Sequence, residues 1–232
     1  MSDSTGELEG FAYGEDLEEG TQRSLGYRLL FHLARVVTWL AFLILGPVRV
    51  KGAYRVPKEG KLLVLANHIA DCDPVVVQLA CPRHVCFMAK HELFEMKLIG
   101  PVLRWFRSFP VRRGEPDRGA IRHALDLLAA DEAVGMFPEG QLSEDGELQP
   151  ILPGAALLAR MSGATVICCG LRNTNRVMPY GRTVPRMSFR RVLVEFGEPK
   201  TFGKHAEAQE ILGWVAGQFR ELTDASEGAR GG

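Results

Sequence analysis

The sequence predicts one α/β domain with a mixed central sheet flanked by helices, preceded by an N-terminal amphipathic helical segment that associates with a membrane. Three observations support this prediction. From residue 61 onward, short apolar runs alternate with segments of helical periodicity. The 232 residues, 46% of them hydrophobic, suit a single domain of moderate size. An uncharged apolar stretch, residues 36–48, precedes the alternating region.

The predicted strands are short apolar runs bounded by polar or turn residues. They cover residues 61–66, 85–88, 133–137, 165–169 and 192–196. Apolar residues recur at the spacing of one helix face in three further segments, residues 121–128, 155–161 and 208–222. In an α/β sheet the polar residues that follow the strands form the usual ligand site. We therefore look for the chemistry of this chain at the strand ends.

The charges are distributed unevenly along the chain. Seven of the 28 acidic residues lie within residues 1–20, which contain no Lys or Arg, so the rest of the chain is basic by seven charges. We interpret residues 1–26 as an acidic mobile tail, 27–50 as a membrane-interface segment, 51–223 as the functional domain and 224–232 as a flexible C-terminus. The basic body suits an anionic membrane surface, a phosphorylated ligand or a nucleic acid.

The segment 27–50 predicts a helix at the membrane surface. A helix over its uncharged stretch rises about 20 Å, which is short of the roughly 30 Å hydrocarbon core of a bilayer. Arg28, His32 and Arg35 recur near helical spacing and predict a basic stripe that faces lipid headgroups, with Trp39 at the boundary. The alternative is an ordinary buried helix of the core.

Composition excludes several classes of protein. No stretch reaches about 18 uninterrupted apolar residues, which excludes a polytopic membrane protein. The five cysteines include no C-x-x-C pair and do not predict a disulfide scaffold, so we expect a reducing compartment. Together with the interface segment, this predicts a peripheral or monotopic protein on the cytoplasmic face of a membrane.

A histidine and an aspartate follow the first predicted strand. His68 and Asp73 stand five positions apart, within the segment Asn-His-Ile-Ala-Asp-Cys-Asp-Pro. A neutral imidazole accepts a proton from an alcohol near pH 7, and a carboxylate on its other nitrogen fixes the tautomer and stabilises the imidazolium. A tight turn between the two residues would bring them together. The pair is a weak signal by itself.

Two further motifs follow in the chain. Residues 109–114, Phe-Pro-Val-Arg-Arg-Gly, end in arginines, and residues 137–140, Phe-Pro-Glu-Gly, supply a carboxylate after another predicted strand. Arginine side chains match phosphate oxygens, and a carboxylate accepts hydrogen bonds from hydroxyls. The two motifs therefore predict a ligand that carries both groups. A plain turn and a solvated edge are the alternatives.

In order and spacing, these three motifs resemble the glycerolipid acyltransferase family, which acylates glycerol phosphate and lysophosphatidic acid. Ala89-Lys90 and Gly197-Glu198-Pro199 add to the resemblance, which covers about residues 48–200. It implies that His68 is the general base and Asp73 its partner. The implied substrate-binding residues are Lys90, Arg112, Arg113, Glu139 and Gly140, with no metal ligand.

The resemblance also implies a function. We expect a membrane-associated enzyme of phospholipid biosynthesis that moves a fatty acyl group from acyl-CoA or acyl-carrier protein to a lysophospholipid hydroxyl. 1-Acylglycerol-3-phosphate is the first choice of acceptor. The expected partners are membrane lipids and the acyl donor, without a cofactor or a nucleic acid. Leu142 stands where many family members have an arginine, so the resemblance does not decide which headgroup the acceptor carries.

Other hypotheses remain at this stage. The chain could acylate another lipid, or bind lipid without catalysis. A metal hydrolase could use His68, Asp71 and Asp73 with His84 or His91. The absence of a Gly-x-Ser-x-Gly motif counts against a lipase of the α/β-hydrolase type. We assign no function to His123 and His205, which we expect on exposed helix faces.

Overall fold

The computed structural model describes residues 24–112, 117–182 and 184–224. Within these residues, the strands are β1 (Val48–Lys51), β2 (Leu62–Ala66), β3 (Val85–Lys90), β4 (Phe109–Val111), β5 (Ala133–Met136), β6 (Thr165–Arg172), β7 (Val192–Phe196) and β8 (Lys200–Thr201). The helices are α1 (Leu25–Leu45), α2 (Asp73–Ala80), α3 (His91–Glu95), α4 (Ile99–Trp105), α5 (Arg118–Ala129), α6 (Gly154–Ser162), α7 (Thr174–Val177) and α8 (Ala208–Thr223). A short 3₁₀ helix, Ala53–Arg55, follows β1.

The strands form one mixed sheet in the order β1-β7-β6-β2-β5-β3-β4, with β8 also paired to β6. Strands β2 to β6 are parallel to one another, whereas β7 and β8 are antiparallel to β6, and β1 is parallel to β7. The carboxyl ends of the five parallel strands therefore lie at one edge of the sheet, which we call the site edge. The predicted α/β fold with a mixed sheet is confirmed.

Helices cover both faces of the sheet. Strand β2 at the centre is fully buried, and its residues alternate between two apolar clusters, as side chains of a strand must. Leu62 and Val64 pack on the face that α2 covers. Leu63 and Leu65 pack on the opposite face, against α5, α6 and α8. This double burial explains why the strands read as continuous apolar runs in the sequence.

Helix α1 presents most of its apolar side chains to the outside. It is 21 residues long, or about 30 Å at 1.5 Å per residue, and the Ser24 Oγ accepts a hydrogen bond from the Tyr27 N–H at its start. Its two buried residues are Phe31 and Phe42. The exposed apolar residues of α1 are Leu25, Leu29, Leu30, Leu33, Val36, Val37, Trp39, Leu40, Leu43 and Ile44. Length and composition alone would allow α1 to cross a membrane, although buried core helices and signal sequences can meet the same criterion.

Four expectations from the sequence differ from the structure or reach beyond the residues that it describes. Arg35 does not face outward with Arg28, because its Nη2 donates a hydrogen bond of 2.8 Å to the Leu79 carbonyl near the end of α2. His123 is buried against Phe109 instead of exposed, with 4.8 Å between the ring centroids. The interface segment 27–50 includes most of β1, which pairs with β7. Of the two predicted tails, residues 1–23 and 225–232 lie outside the described residues.

Candidate active site

The imidazole of His68 and the carboxylate of Asp73 meet at the site edge. The His68 Nδ1 lies 3.1 Å from the Asp73 Oδ2, and both side chains are buried. His68 follows the end of β2, whereas Asp73 is the first residue of α2. An ionised Asp73 makes Nδ1 the protonated nitrogen and leaves Nε2 as an acceptor. Among the described residues, none forms a hydrogen bond with Nε2.

Backbone amides hold the Asp73 carboxylate in place. The N–H groups of Ile69 and Ala70 donate to the Oδ2 atom, at 2.7 and 2.8 Å. The chain between His68 and Asp73 therefore wraps around the carboxylate that it carries. Pro74 fits the first turn of α2, where a backbone N–H has no partner within the helix. The tight turn expected from the sequence is thus built by the aspartate itself.

The imidazole plane is fixed by aromatic stacking. The ring of His68 lies on the ring of Phe137, with 4.0 Å between the centroids and 19° between the planes. The ring of Phe87 also stacks on the ring of Phe137, with 5.6 Å between the centroids and 16° between the planes. Phe137 follows β5, the strand beside β2, so the ends of two neighbouring strands orient the imidazole. The sequence identified Phe137 within a motif but gave it no role.

Glu139 holds the backbone of the site. Its Oε1 accepts a hydrogen bond from the His68 N–H and its Oε2 one from the Gln149 N–H, each at 2.7 Å. The side chain is 4% exposed. Burial raises the pKa of the Glu139 carboxyl, and the two amide hydrogen bonds partly oppose that shift. Glu139 thus positions His68, while its expected contact with a substrate hydroxyl stays a prediction.

Two more residues shape this edge. Gly140 has φ +72°, a backbone conformation that favours glycine, and a Cβ there would displace the end of the Leu152 side chain. The Asn67 amide bridges to β6, because its Nδ2 donates to the Leu171 carbonyl at 3.1 Å and its Oδ1 accepts from the Leu171 N–H at 2.6 Å. Sequence analysis assigned no role to Asn67, although an amide directly after a buried strand is a signal for such a bridge.

The basic residues expected at the site occupy different places. Lys90 ends β3 and its Nζ lies 3.1 Å from the Glu92 Oε1 in an exposed ion pair. Arg112 follows β4, and its backbone N–H donates to the Asp117 carboxylate at 2.9 Å. Arg113 lies outside the described residues. The structure therefore brings His68 and Asp73 together with Glu139 and Gly140, and places Lys90 in a surface contact.

An open groove of about 850 Å³ lies beside Phe137, Pro138 and Gly140. Its apolar lining includes Ile121, Leu125, Leu157 and Met161. Four arginines also line it: Arg112, Arg118, Arg122 and Arg160. In the part of the chain that the structure describes, no carboxylate pairs with their guanidinium groups. A groove with apolar walls and unpaired guanidinium groups suits an amphiphile that carries phosphate.

The cysteines offer no nucleophile here. Burial, together with the nearby Asp73 charge, raises the pKa of the Cys72 thiol to about 12, so it is a thiol at neutral pH. Residues 24–112, 117–182 and 184–224 contain no group of three or more His, Cys, Asp or Glu side chains placed to share a metal ion. His84 instead contacts the Tyr27 hydroxyl at 3.1 Å, and His91 lies 3.6 Å from Glu95.

Residues 47–172, more than half of the chain, match the family model described as Acyltransferase. The chain belongs to the acyltransferase family. The matched region begins just before β1, ends with β6, and contains His68, Asp73 and Glu139. The family membership predicted from the three motifs is thus confirmed.

Among curated proteins, this acyltransferase-family chain is 32% identical to a 1-acyl-sn-glycerol-3-phosphate acyltransferase of Bacillus subtilis, over 124 residues that cover 53% of the chain and 61% of the relative. It is 30% identical to a Streptococcus pneumoniae protein of the same name, over 183 residues that cover 75% of the chain and 64% of the relative. The chain thus spans a little over three fifths of the length of these relatives.

A solved structure supports the fold. The crystal structure of the 1-acyl-sn-glycerophosphate acyltransferase PlsC from Thermotoga maritima superposes with a TM-score of 0.75 at 23% sequence identity. The superposition covers 95% of this chain and 90% of that one. The fold of this acyltransferase-family chain therefore has a counterpart of known structure.

Proposed function

We propose that this chain is a membrane-bound enzyme that transfers a fatty acyl group from a thioester to the free hydroxyl of 1-acyl-sn-glycerol-3-phosphate. The observation that carries the proposal is the pair His68–Asp73, in which the carboxylate is held by two amides and the imidazole keeps Nε2 unengaged. The names of the relatives supply the acceptor, and the groove beside Phe137 suits it chemically.

The reaction needs one base and one displacement. The Nε2 of His68 takes the proton of the acceptor hydroxyl while its oxygen forms a bond to the thioester carbonyl carbon. The tetrahedral intermediate then collapses, the C–S bond breaks, and the imidazolium returns the proton to the departing thiolate. Asp73 stabilises the imidazolium between the two steps and keeps the ring in the reactive tautomer. No covalent acyl-enzyme is required, which agrees with the protonated state of the Cys72 thiol.

The groove has groups that suit both the acyl chain and the phosphate of the acceptor. A lysophosphatidic acid combines an acyl chain with a phosphate, and the groove combines apolar walls with Arg112 and three further arginines. We place the phosphate at the arginines and the chain along the apolar lining. Leu142 contributes no charge, so Arg112 and its neighbours take the phosphate contact that an arginine at 142 would make.

The donor and the location complete the proposal. Acyl-CoA and acyl-carrier protein both end in a phosphopantetheine thioester, and either satisfies the chemistry above. The apolar outer face of α1 supports peripheral or monotopic attachment to a bilayer. Five buried free cysteines favour a reducing compartment, and hence the cytoplasmic face.

The test is a transfer assay on vesicles. The purified chain is offered labelled acyl-CoA or acyl-carrier protein with a panel of lysolipids, and the products are identified by mass. We expect transfer to 1-acylglycerol-3-phosphate, reduced about 10²–10⁴-fold in His68→Ala. His205→Ala, which changes an exposed histidine remote from the site, is the control and should keep wild-type turnover. Lipid binding without transfer to any acceptor would show a lipid-binding module instead.

A further inference from the structure

The loop between α7 and β7 has an unusual composition. Residues 178–191 contain four arginines and no acidic residue. We call this segment the arginine loop. Its described part, residues 178–182 and 184–191, follows β6 and so lies at the same edge of the sheet as His68.

Large apolar side chains project from the arginine loop. Phe189 is fully exposed, and Val184 and Met187 are largely exposed. Phenylalanine is among the residues most often buried, because transfer of its ring from water to an apolar environment is favourable. Three such side chains on one short segment, beside arginines, are typical of a surface that meets another apolar phase.

The shape of the loop is fixed by hydrogen bonds to backbone carbonyls. The Arg186 N–H donates to the Val177 carbonyl at 2.8 Å, and its Nε donates to the Arg176 carbonyl at 3.0 Å. The Ser188 hydroxyl donates to the Arg190 carbonyl at 3.1 Å. In the loop that these contacts hold, the side chain of Phe189 is exposed.

The arginine loop continues the apolar surface of α1. The Ser188 N–H donates a hydrogen bond of 2.5 Å to the carbonyl of Leu45, the last residue of α1. Ile44, one residue before, is exposed. The exposed residues Met187 and Phe189 therefore flank a loop residue that is bonded to the end of α1.

The charges of the loop match an anionic surface. Arg182, Arg190 and Arg191 are exposed, and their guanidinium groups have no carboxylate partner among the residues described. Guanidinium groups bind phosphate oxygens in a fork, and each basic residue near an anionic bilayer adds to the attraction. Apolar side chains among basic ones form the pattern of an interfacial lipid contact.

We propose that the arginine loop is a second lipid-binding element. Phe189 and Met187 enter the interfacial layer of the bilayer, while Arg182, Arg190 and Arg191 bind the phosphates of anionic lipids. The proposed function requires only α1 for attachment, so this inference goes beyond it. Two contacts at different points would fix the orientation of the site edge toward the lipid.

The first experiment measures binding of the full chain to vesicles of phosphatidylcholine, with and without phosphatidylglycerol. We expect Phe189→Ala to weaken binding to both kinds of vesicle about tenfold, because part of the burial of a phenylalanine ring is lost. Arg190→Gln should weaken binding about fivefold, and only to anionic vesicles. Tyr54→Ala and Arg220→Gln are the controls, since both positions are exposed and Tyr54 lies at the opposite edge of the sheet.

The second experiment locates the loop directly. A tryptophan at 189, introduced as Phe189→Trp, should add fluorescence that brominated acyl chains quench, whereas Tyr54→Trp should add fluorescence that they do not quench. Absence of quenching at 189, with the native Trp39 still quenched, would overturn the loop contact and leave the attachment by α1 intact. Binding of acyl-carrier protein that depends on Arg190, with unchanged vesicle binding, would assign the loop to a protein partner and also overturn the proposal.

Discussion

The turn around His68 and the surface formed by α1 and the arginine loop are built on opposite principles. In the turn, Asp73 and Glu139 are buried, and together they accept hydrogen bonds from four backbone amides. On the outer surface, apolar side chains face outward and guanidinium groups have no carboxylate partner in the described part of the chain. The turn fixes one geometry through hydrogen bonds that form within the protein. In the proposed attachment, the surface would form its contacts with a bilayer.

This difference separates two kinds of sensitivity. Changes in the turn should affect the chemical step, because a buried donor or acceptor that loses its partner has no water to replace it. Changes on the outer surface should affect the location of the protein, because those side chains have few contacts in the isolated molecule. The following variants test that separation, beginning with the largest expected effect.

Asp73→Asn should have the largest effect on turnover. The Oδ2 atom of Asp73 contacts the imidazole and both amides, so an asparagine oxygen at that position can keep these contacts but lacks the negative charge that stabilises the imidazolium. We expect kcat to fall about 10²–10⁴-fold while the protein stays folded and membrane-bound. Turnover and vesicle binding are measured on the same preparation. Asp71→Asn, an exposed carboxylate in the same turn, is the matched control, and an equal loss there would point to a shared metal or charge effect.

A pair of substitutions in α1 compares the inner and outer faces of one helix. Phe42 is 5% exposed, and Phe42→Ala should lower the unfolding free energy, measured in detergent, by about 3–5 kcal/mol. Leu40 is 51% exposed, and Leu40→Ala should lower it by less than about 0.5 kcal/mol. Leu40→Ala should nevertheless weaken binding to vesicles. Destabilisation by Leu40→Ala as large as that of Phe42→Ala would show that the outer face packs within the protein.

The smallest effect concerns Glu139 and pH. The folded state raises the pKa of this carboxyl above 4.5, so the unfolded chain loses its proton first as pH rises. The unfolding free energy should therefore fall as pH rises through the window above 4.5. Glu139→Gln removes this dependence, although it also leaves one amide without an acceptor. Thermal unfolding of both proteins over a pH series checks the sign, and a constant difference between them would contradict it.

Much of the fold was predictable because the central strands are buried on both faces. Residues 62–66 and 166–169 are continuous apolar runs of strand length, which predict buried strands. Strand β1 was missed, because its four residues gain their structure from pairing with β7, where Val48 lies beside Val192. Local patterns carry no signal of a contact so distant in the chain.

The sequence predicted those contacts of the site that form between residues of one short motif. It did not predict the contacts between residues that are distant in the chain. His68 and Asp73 meet within one turn, so their spacing, together with the two later motifs, was enough to predict the pair. The amide bonds of Glu139 depend on the course of the loop up to Gln149, which no spacing rule gives. Likewise, the spacing of apolar residues in α1 defines the two faces of the helix but does not tell which face packs against the protein. Arg35 lies on the packed side, where its guanidinium group donates a hydrogen bond to the Leu79 carbonyl.

The packing of α1 against α2 has a kinetic consequence. Arg35 ties α1 to the helix whose first residue is Asp73, so attachment through α1, as proposed, would bring His68 close to the bilayer. An acceptor that already resides in the leaflet reaches such a site by lateral diffusion and need not cross water. Turnover then follows the mole fraction of lysolipid within the bilayer, and the volume of the surrounding solution drops out of the rate law.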